Sequence, residues 1–251
     1  MTNKERFLEL CSKVKREGIE DLVKWLEASD FFDAPASTRF HGSYAGGLLE
    51  HSLNVYDELV RLLAAYPEVQ SSEETAIIIT LFHDLCKVNM YGVEKRNRKD
   101  ANGRWESYDA YTSDEKFHYG GHGSKSVFIL QNYMKVTAEE AVAINCHMSC
   151  WDGNNSVGAA YEQYPLAWLL HVADESATYI QDYTSALIIK NARKEIKDAL
   201  DRKIFDMLLF TNCSLQDIAT ELCMGKTTVH DRIKKFPIKY PKAIAILQHK
   251  A

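Results

Sequence analysis

The stretch ITLFHDLCKVNMYG, residues 79–92, sets an apolar run around three ionisable groups, His83, Asp84 and Lys87. A buried charge costs several kcal/mol unless it is paired or binds a metal. A fold that buries this segment must therefore bring compensating groups to it. That demand recurs along the chain. His51 sits in GGLLEHSLN, and Asp174 sits in WLLHVADES with His171 three residues earlier on the same helical face. His122 opens an expected helix in GGHGSKS, and His147 falls near a helix end in INCHMSC. A lone histidine on an apolar face is more often a satisfied core residue than a ligand. So many ionisable groups on expected helices, or at their ends, call for a common cause.

Apolar residues at three- and four-residue spacing dominate the chain and predict an all-α fold. Residues 4–29 read as two helices broken at Gly18, STRFHGSYAGG as a loop, and GLLEHSLNVYDELVRLLAAY as an amphipathic helix. Pro67 and the QSSEE cluster end that helix and cap a next one over about 72–89. Further helices are expected at about 123–134, 138–150, 164–183 and 185–209. The exception is 91–118, where Asn102-Gly103 is a strong hairpin signal between flanks holding Val, Trp and Tyr. A small β-hairpin inserted in a helical bundle is the expectation there.

Within a helix, His83 and Asp84 point about 100° apart, yet both can reach an ion beside the axis. Lys87, four residues after His83 and three after Asp84, borders the same face. Imidazole and carboxylate suit Mn, Fe, Ni, Co or Zn, whereas Mg²⁺ favours mostly oxygen donors.

A chain of 251 residues with 46% hydrophobic and 26% charged residues suits one sizeable domain, or a domain plus a small module. The net charge of −5 means that contact with nucleic acid needs a local basic patch. No apolar run reaches membrane-spanning length, and MTNKERFLEL lacks a signal-peptide core. Six scattered cysteines without a CxxC pair suit free thiols in the cytoplasm.

Character changes after residue 205, and domains of 1–205 and 206–251 are expected. In CSLQDIATELCMGKTTVHDRIKKF, residues 213–236, Ser214 is an N-cap answered by Asp217. A helix bearing Ile218, Ala219 and Leu222, a turn at Met224-Gly225, and a helix with Val229 and Ile233 follow. This is a helix-turn-helix layout, with Ala219 small where the helices cross. The alternative is a terminal helical hairpin packed on the main domain. Lys226, Arg232, Lys234 and Lys235 are consistent with phosphate contacts on duplex DNA.

His51, then His83-Asp84, then Asp174 resembles the ordered H…HD…D pattern of the HD-domain metal-dependent phosphohydrolases, over about residues 40–185. GGLLEH is similar in particular to the HD domain of bacterial 3′–5′ exoribonucleases of the YhaM type. The resemblance implies a helical HD bundle in which His51, His83, Asp84 and Asp174 hold one divalent ion. Asp84 would bridge to a second ion on His122 and His147, as in binuclear members, and Lys87 would bind substrate phosphate. The GYP motif of the cyclic-dinucleotide phosphodiesterases is absent. Cys86 departs from the family pattern but packs as a small hydrophobe.

Such a site implies hydrolysis of a phosphoester of a nucleotide, cyclic nucleotide or RNA or single-stranded DNA end by a metal-activated hydroxide, with Asp84 and Lys87 catalytic. The alternative is a DNA- or ligand-binding regulator whose HD core is a sensor and whose C-terminal helices read DNA. Arg96, Arg98 and Arg104 on the ribbon are candidate substrate contacts, equally readable as charges that keep an edge strand solvated. His41, His118 and His171 are candidates for lining the pocket, His118 and His171 as substrate contacts. Trp151 and Asp152 either line the mouth or belong to a capping loop. Cys146, His147 and Cys150 lack the second half that a closed zinc site needs.

Overall fold

The computed structural model describes residues 1–99, 103, 105–152, 157–210 and 213–250. Helices α1 (Asn3–Ser12), α2 (Ile19–Ala28), α3 (Gly47–Ala65) and α4 (Glu73–Leu81) come first. Strands β1 (Tyr91–Lys99) and β2 (Trp105–Ser113) form one antiparallel ribbon, pairing from Tyr91 with Ser113 to Lys99 with Trp105. Then come α5 (His122–Gln131), α6 (Ala138–Cys146), α7 (Val157–Gln163) and α8 (Pro165–Ser176). A π-helical stretch, Ala177–Asp182, carries α8 without a break into α9 (Tyr183–Glu195). The chain closes with α10 (Ala199–Phe210), α11 (Leu215–Glu221), α12 (Lys226–Lys234), α13 (Phe236–Lys239) and α14 (Pro241–Lys250). The fold is an all-α bundle with a small β-hairpin insertion.

Local chemistry accounts for the helix starts. Thr2 with Glu5, Thr137 with Glu140 and Ser214 with Asp217 each form a reciprocal capping box, and Ser72 accepts the Thr75 N–H. Ala76 to Leu81 are all buried, and the one hydroxyl among them, Thr80, donates to the Ala76 carbonyl, so α4 runs enclosed through the bundle. It shares one apolar cluster with Phe7, Leu22, Leu26, Leu48, Leu53, Leu59 and, from α8, Leu166, Leu169 and Leu170. Each such buried side chain stabilises the fold by about 2 kcal/mol. A second apolar cluster gathers Ala192 of α9 with Ile204, Phe205, Leu209, Ile218, Val229 and Phe236, and Tyr44 joins it from the loop before α3. The expected division at 205–206 falls inside α10, whose Ile204, Phe205 and Leu209 all belong to this second cluster.

Several expected boundaries need correction. The helix expected to run to residue 89 ends at Leu81, because His83 and Asp84 are weak helix formers and use their polar groups locally. One 3₁₀ turn, Leu85–Lys87, follows, and Asp84 before it has φ −109° and ψ 24°. The helix expected over 138–150 stops at Cys146. The two helices expected at 164–183 and 185–209 are one rod through Glu195, with the break at 196–198 instead.

Candidate metal centre

Close backbone approaches set up the site. A Cβ on Gly47 would lie 2.0 Å from the Gly42 carbonyl, so only glycine lets the preceding loop fold onto the start of α3. His51 is one turn further in, at 1% exposure. Gly123 does the same for α5 and α6: a Cβ there would meet the Asn145 and Ile144 carbonyls at 2.4 and 2.6 Å. That contact sets the start of α5, which carries His122, against the end of α6, although His122 and His147 fall in separate candidate metal groups that share Asp84.

His51, His83, Asp84, His147 and Asp174 are all buried and converge from α3, the end of α4, the end of α6 and α8. The donor atoms of His51, His83 and Asp174 lie within 4.8 Å of one another, as do those of His83, Asp84 and His147. His51 Nε2 is 3.0 Å from Asp174 Oδ1 and 3.3 Å from His83 Nε2. Asp84 lies between the two groups, Oδ2 3.3 Å from His83 Nε2 and Oδ1 3.7 Å from His147 Nε2. Asp84, Cys86 and His122 form an adjoining triplet, with Cys86 Sγ 3.5 Å from His122 Nδ1.

The three buried imidazoles share one device. His83 Nδ1 donates to the Thr80 carbonyl at 2.7 Å, and His147 Nδ1 to the Ile144 carbonyl at 2.7 Å. Each is a histidine at the end of a helix folding back on the carbonyl three residues earlier, in the last turn where carbonyls lack a full set of helical partners. His51 Nδ1 donates to Asp182 Oδ2 at 2.8 Å. An acceptor that cannot donate keeps a proton on Nδ1, so Nε2 is the nitrogen each ring turns inward, and it is the one that would give up its proton to a metal. Asn54 Nδ2 donates to Asp182 Oδ1 at 2.8 Å and holds that carboxylate in turn.

Asp182 was missed from sequence, and the π-helical stretch explains why. Eight residues along an α-helix overshoot two turns by about 80°. The wider turn of 177–182 absorbs the overshoot, so Asp174 and Asp182 reach opposite nitrogens of the same imidazole. The available signal was a second aspartate soon after Asp174, because ligand histidines usually hold a carboxylate or carbonyl on their other nitrogen.

Burial opposes every charge here, and the neighbours override it. It would raise the Asp84 carboxyl, but Lys87 and His83 hold it well below the usual range. Burial likewise opposes ionisation of Asp174 and Asp182, and His51 lowers both. Desolvation would lower His51, but Asp182 and Asp174 raise it to about 10. Burial, reinforced by Asp84, pushes the Cys86 thiol up to about 12, so Cys86 is a neutral thiol. Lys87 Nζ lies 2.6 Å from Asp84 Oδ2 and is itself buried. Three carboxylates thus face one lysine and two histidines raised by their carboxylate neighbours, His51 and, through Asp84, His147.

The residues fit a divalent transition-metal ion. His147 Nε2 is buried without a hydrogen-bond partner, which costs about 1–3 kcal/mol unless something uses it. The surrounding set of imidazole nitrogens and carboxylate oxygens is the one such ions favour. The structure also leaves His41 Nε2 buried and unpartnered, its ring centroid 4.9 Å from that of His51.

Other expected site residues lie elsewhere. His171 Nδ1 donates to the His147 carbonyl at 2.7 Å and so props the backbone of that residue. His118 is exposed and lines a cavity of about 260 Å³ with Cys86, Met90, Phe117, Tyr119 and His122. Arg96 is paired with Glu94 on the ribbon at 2.6 Å. Arg104 and the Arg98 side chain lie outside the described residues, as does the side chain of Asp152, while Trp151 is exposed. Among the described residues, no candidate metal group includes Cys146 or Cys150.

Fold and centre together define a helical protein built around a buried imidazole–carboxylate metal site. The family model described as HD domain matches residues 48–179, over half of the chain, and the protein belongs to that family, whose members are in general metal-dependent phosphohydrolases. Comparison with curated proteins and with solved structures found no significant match. No helix among the described residues is long and apolar enough to cross a membrane.

Proposed function

We propose that this chain hydrolyses a phosphoester of a nucleotide or of a single-stranded nucleic-acid end, using one or two divalent transition-metal ions. The observation that carries the reading is the set of inward-facing Nε2 atoms of His51, His83 and His147 around Asp84 and Asp174. His51, His83, Asp84 and Asp174 would hold the first ion, and Asp84, His122 and His147 the second. Bound ions of this kind contribute acidification of a water and neutralisation of charge on phosphoryl oxygens.

The chain's own groups complete the reading. Lys87, held against Asp84, would set a fixed positive charge beside the substrate phosphate. His41, whose buried Nε2 has no partner, would meet the leaving oxygen. Nucleotide-like substrates are favoured by an aromatic shelf at the cavity that His122 lines. Phe117 stacks on Tyr119 at 5.9 Å and 21°, and Tyr119 on Phe128 at 4.5 Å and 29°. All three are more than a third exposed, as a base-stacking platform requires. The six free cysteines suit a reducing compartment, and we place the protein in the cytoplasm.

The test is metal content per chain, by elemental analysis, on wild type and Asp84→Ala, followed by a phosphoester panel. Close to two ions, falling sharply in the variant, with hydrolysis of at least one nucleotide ester, is the expected result. No metal after incubation with manganese would overturn the reading. Phe117→Ala with Tyr119→Ala should raise KM for nucleotides and leave that for a base-free phosphoester unchanged. A second reading, a regulator whose HD core senses while the C-terminal helices bind DNA, is favoured by the exposed lysines of α12, which have no ion pair among the described residues, and is compatible with hydrolysis.

A further inference from the structure

The sharpest charge asymmetry in the molecule lies at its C-terminal end. Residues 226–242 hold six lysines and arginines against one acid, Asp231, in a chain whose net charge is −5. Not all of these cations are available. Arg232 is committed to Asp201 at 2.5 Å and Asp198 at 3.1 Å, Lys239 lies 3.7 Å from Asp201, and Lys242 pairs with Glu195 at 2.5 Å. The expectation that Arg232 contacts DNA is therefore set aside, since it ties α12 to α10. Lys226, Lys234 and Lys235 remain exposed, with no ion pair among the described residues.

The local geometry gives these lysines a common direction. Helix α12 buries Val229 and half-buries Ile233 against the second apolar cluster. Thr227, His230, Asp231 and Lys234, at three- and four-residue spacing, form the opposite face and are all exposed. The turn before α12 is closed by its own hydrogen bonds. Cys223 adopts φ +50°, its N–H donates to the Thr220 carbonyl, and the Met224 N–H donates to the Ala219 carbonyl. That pattern is a Schellman closure, with Cys standing where glycine is usual. Ala219, 2% exposed, lies within the same packed cluster as Val229.

We infer that α12 is the reading helix of a duplex-DNA-binding unit, inserting Thr227, His230, Asp231 and Lys234 into the major groove while Lys226 and Lys235 contact phosphates. This deepens the second reading above and does not depend on hydrolysis. A helix of this length with hydroxyl, imidazole, carboxylate and ammonium groups on its outer face has the donors and acceptors that base edges require. Net positive charge on that one surface of an acidic protein supplies the attraction to phosphate. Asp231 opposes non-specific phosphate contact and can accept from a cytosine amino group.

The test is fluorescence anisotropy of the full-length protein with a labelled mixed-sequence duplex, without added metal, from 50 to 200 mM KCl. Binding should weaken about fortyfold over that range, as three phosphate contacts require. Each of Lys226→Ala, Lys234→Ala and Lys235→Ala should lower the salt slope by about one, and Asp231→Asn should tighten non-specific binding. The triple lysine variant should weaken binding at least tenfold while keeping any phosphoester hydrolysis of the wild type, which shows that it is folded. Absence of binding at tens of micromolar protein in 50 mM KCl would overturn the inference. So would a triple variant that binds as wild type does. Because anisotropy needs no turnover, failure of hydrolysis and failure of DNA binding are read separately.

Discussion

Asp182 Oδ2 lies 2.8 Å from His51 Nδ1, while Asp174 Oδ1 lies 3.0 Å from Nε2 of the same ring. One carboxylate is placed to ligate a metal alongside the histidine, and the other sets the histidine's tautomer and orientation. Asp182→Asn keeps the shape but removes the charge that fixes the ring. Metal affinity should fall about 10- to 100-fold with the fold intact. Competition against a chromogenic chelator, with circular dichroism alongside, reads both; unchanged affinity would remove Asp182 from the centre.

The pairing of Lys87 with Asp84 at 2.6 Å makes a second outcome specific. Asp84→Ala should abolish hydrolysis and leave Lys87 as a buried uncompensated charge, costing about 3 kcal/mol of stability. Adding Lys87→Met should recover much of that stability without restoring activity. Urea titrations of the two single variants and the double variant measure the coupling. Additive effects would show that the two side chains do not compensate one another.

Gly123 is where α5 passes closest to the end of α6. Gly123→Ala places a methyl 2.4 Å from the Asn145 carbonyl, and backbone must shift to accept it. A loss of about 1–3 kcal/mol is expected, together with loss of one metal ion per chain as His122 moves away from His147. Thermal unfolding and elemental analysis test the pair of effects. A variant with wild-type metal content would detach His122 from the second position.

Acid stability should depend on Glu140. Its buried carboxylate accepts from Arg16 at 2.6 and 3.0 Å, from the Thr137 N–H at 2.8 Å and from the Thr75 hydroxyl at 3.0 Å. Burial opposes its ionisation, yet Arg16 and the Thr137 N–H hold its pKa below the ordinary 4.5. A depressed carboxyl stabilises the fold above its unfolded pKa, and that contribution is lost as pH falls through the folded value. Wild type should therefore lose stability steadily below about pH 4.5. Glu140→Gln should start about 3 kcal/mol lower at pH 7 and show a shallower acid slope. Equal slopes in urea midpoints between pH 3 and 5 would contradict this.

Much of the centre was legible in sequence for one reason. His51, His83, Asp84 and Asp174 sit among apolar residues, where an ionisable side chain is conspicuous. Asp182 was not, because its neighbours Tyr179, Ile180 and Tyr183 are exposed and its spacing from Asp174 does not match a regular helix face. The ribbon announced itself through Asn102-Gly103. The end of α4 did not, since Leu85 and Val88 continue a helical apolar spacing that His83 and Asp84 interrupt. Lys87 was legible by its position, but its pairing with Asp84 was not. The pairing of Arg232 with Asp198 and Asp201 was hidden in the same way, since about thirty residues separate the partners.

The π-helical stretch at 177–182 also bears on descent. Seven residues of ordinary α-helix cover nearly two turns, so two aspartates seven apart would meet one imidazole without any distortion. The observed spacing of eight is that arrangement plus one residue, taken up as a wide turn. Such a segment is tolerant of a deletion and intolerant of an insertion: losing one residue restores a regular helix with both carboxylates in phase, while gaining one turns Asp182 away by about 100°. Kinship with other chains at this centre is therefore better traced by counting residues between the two aspartates than by matching the letters that lie there.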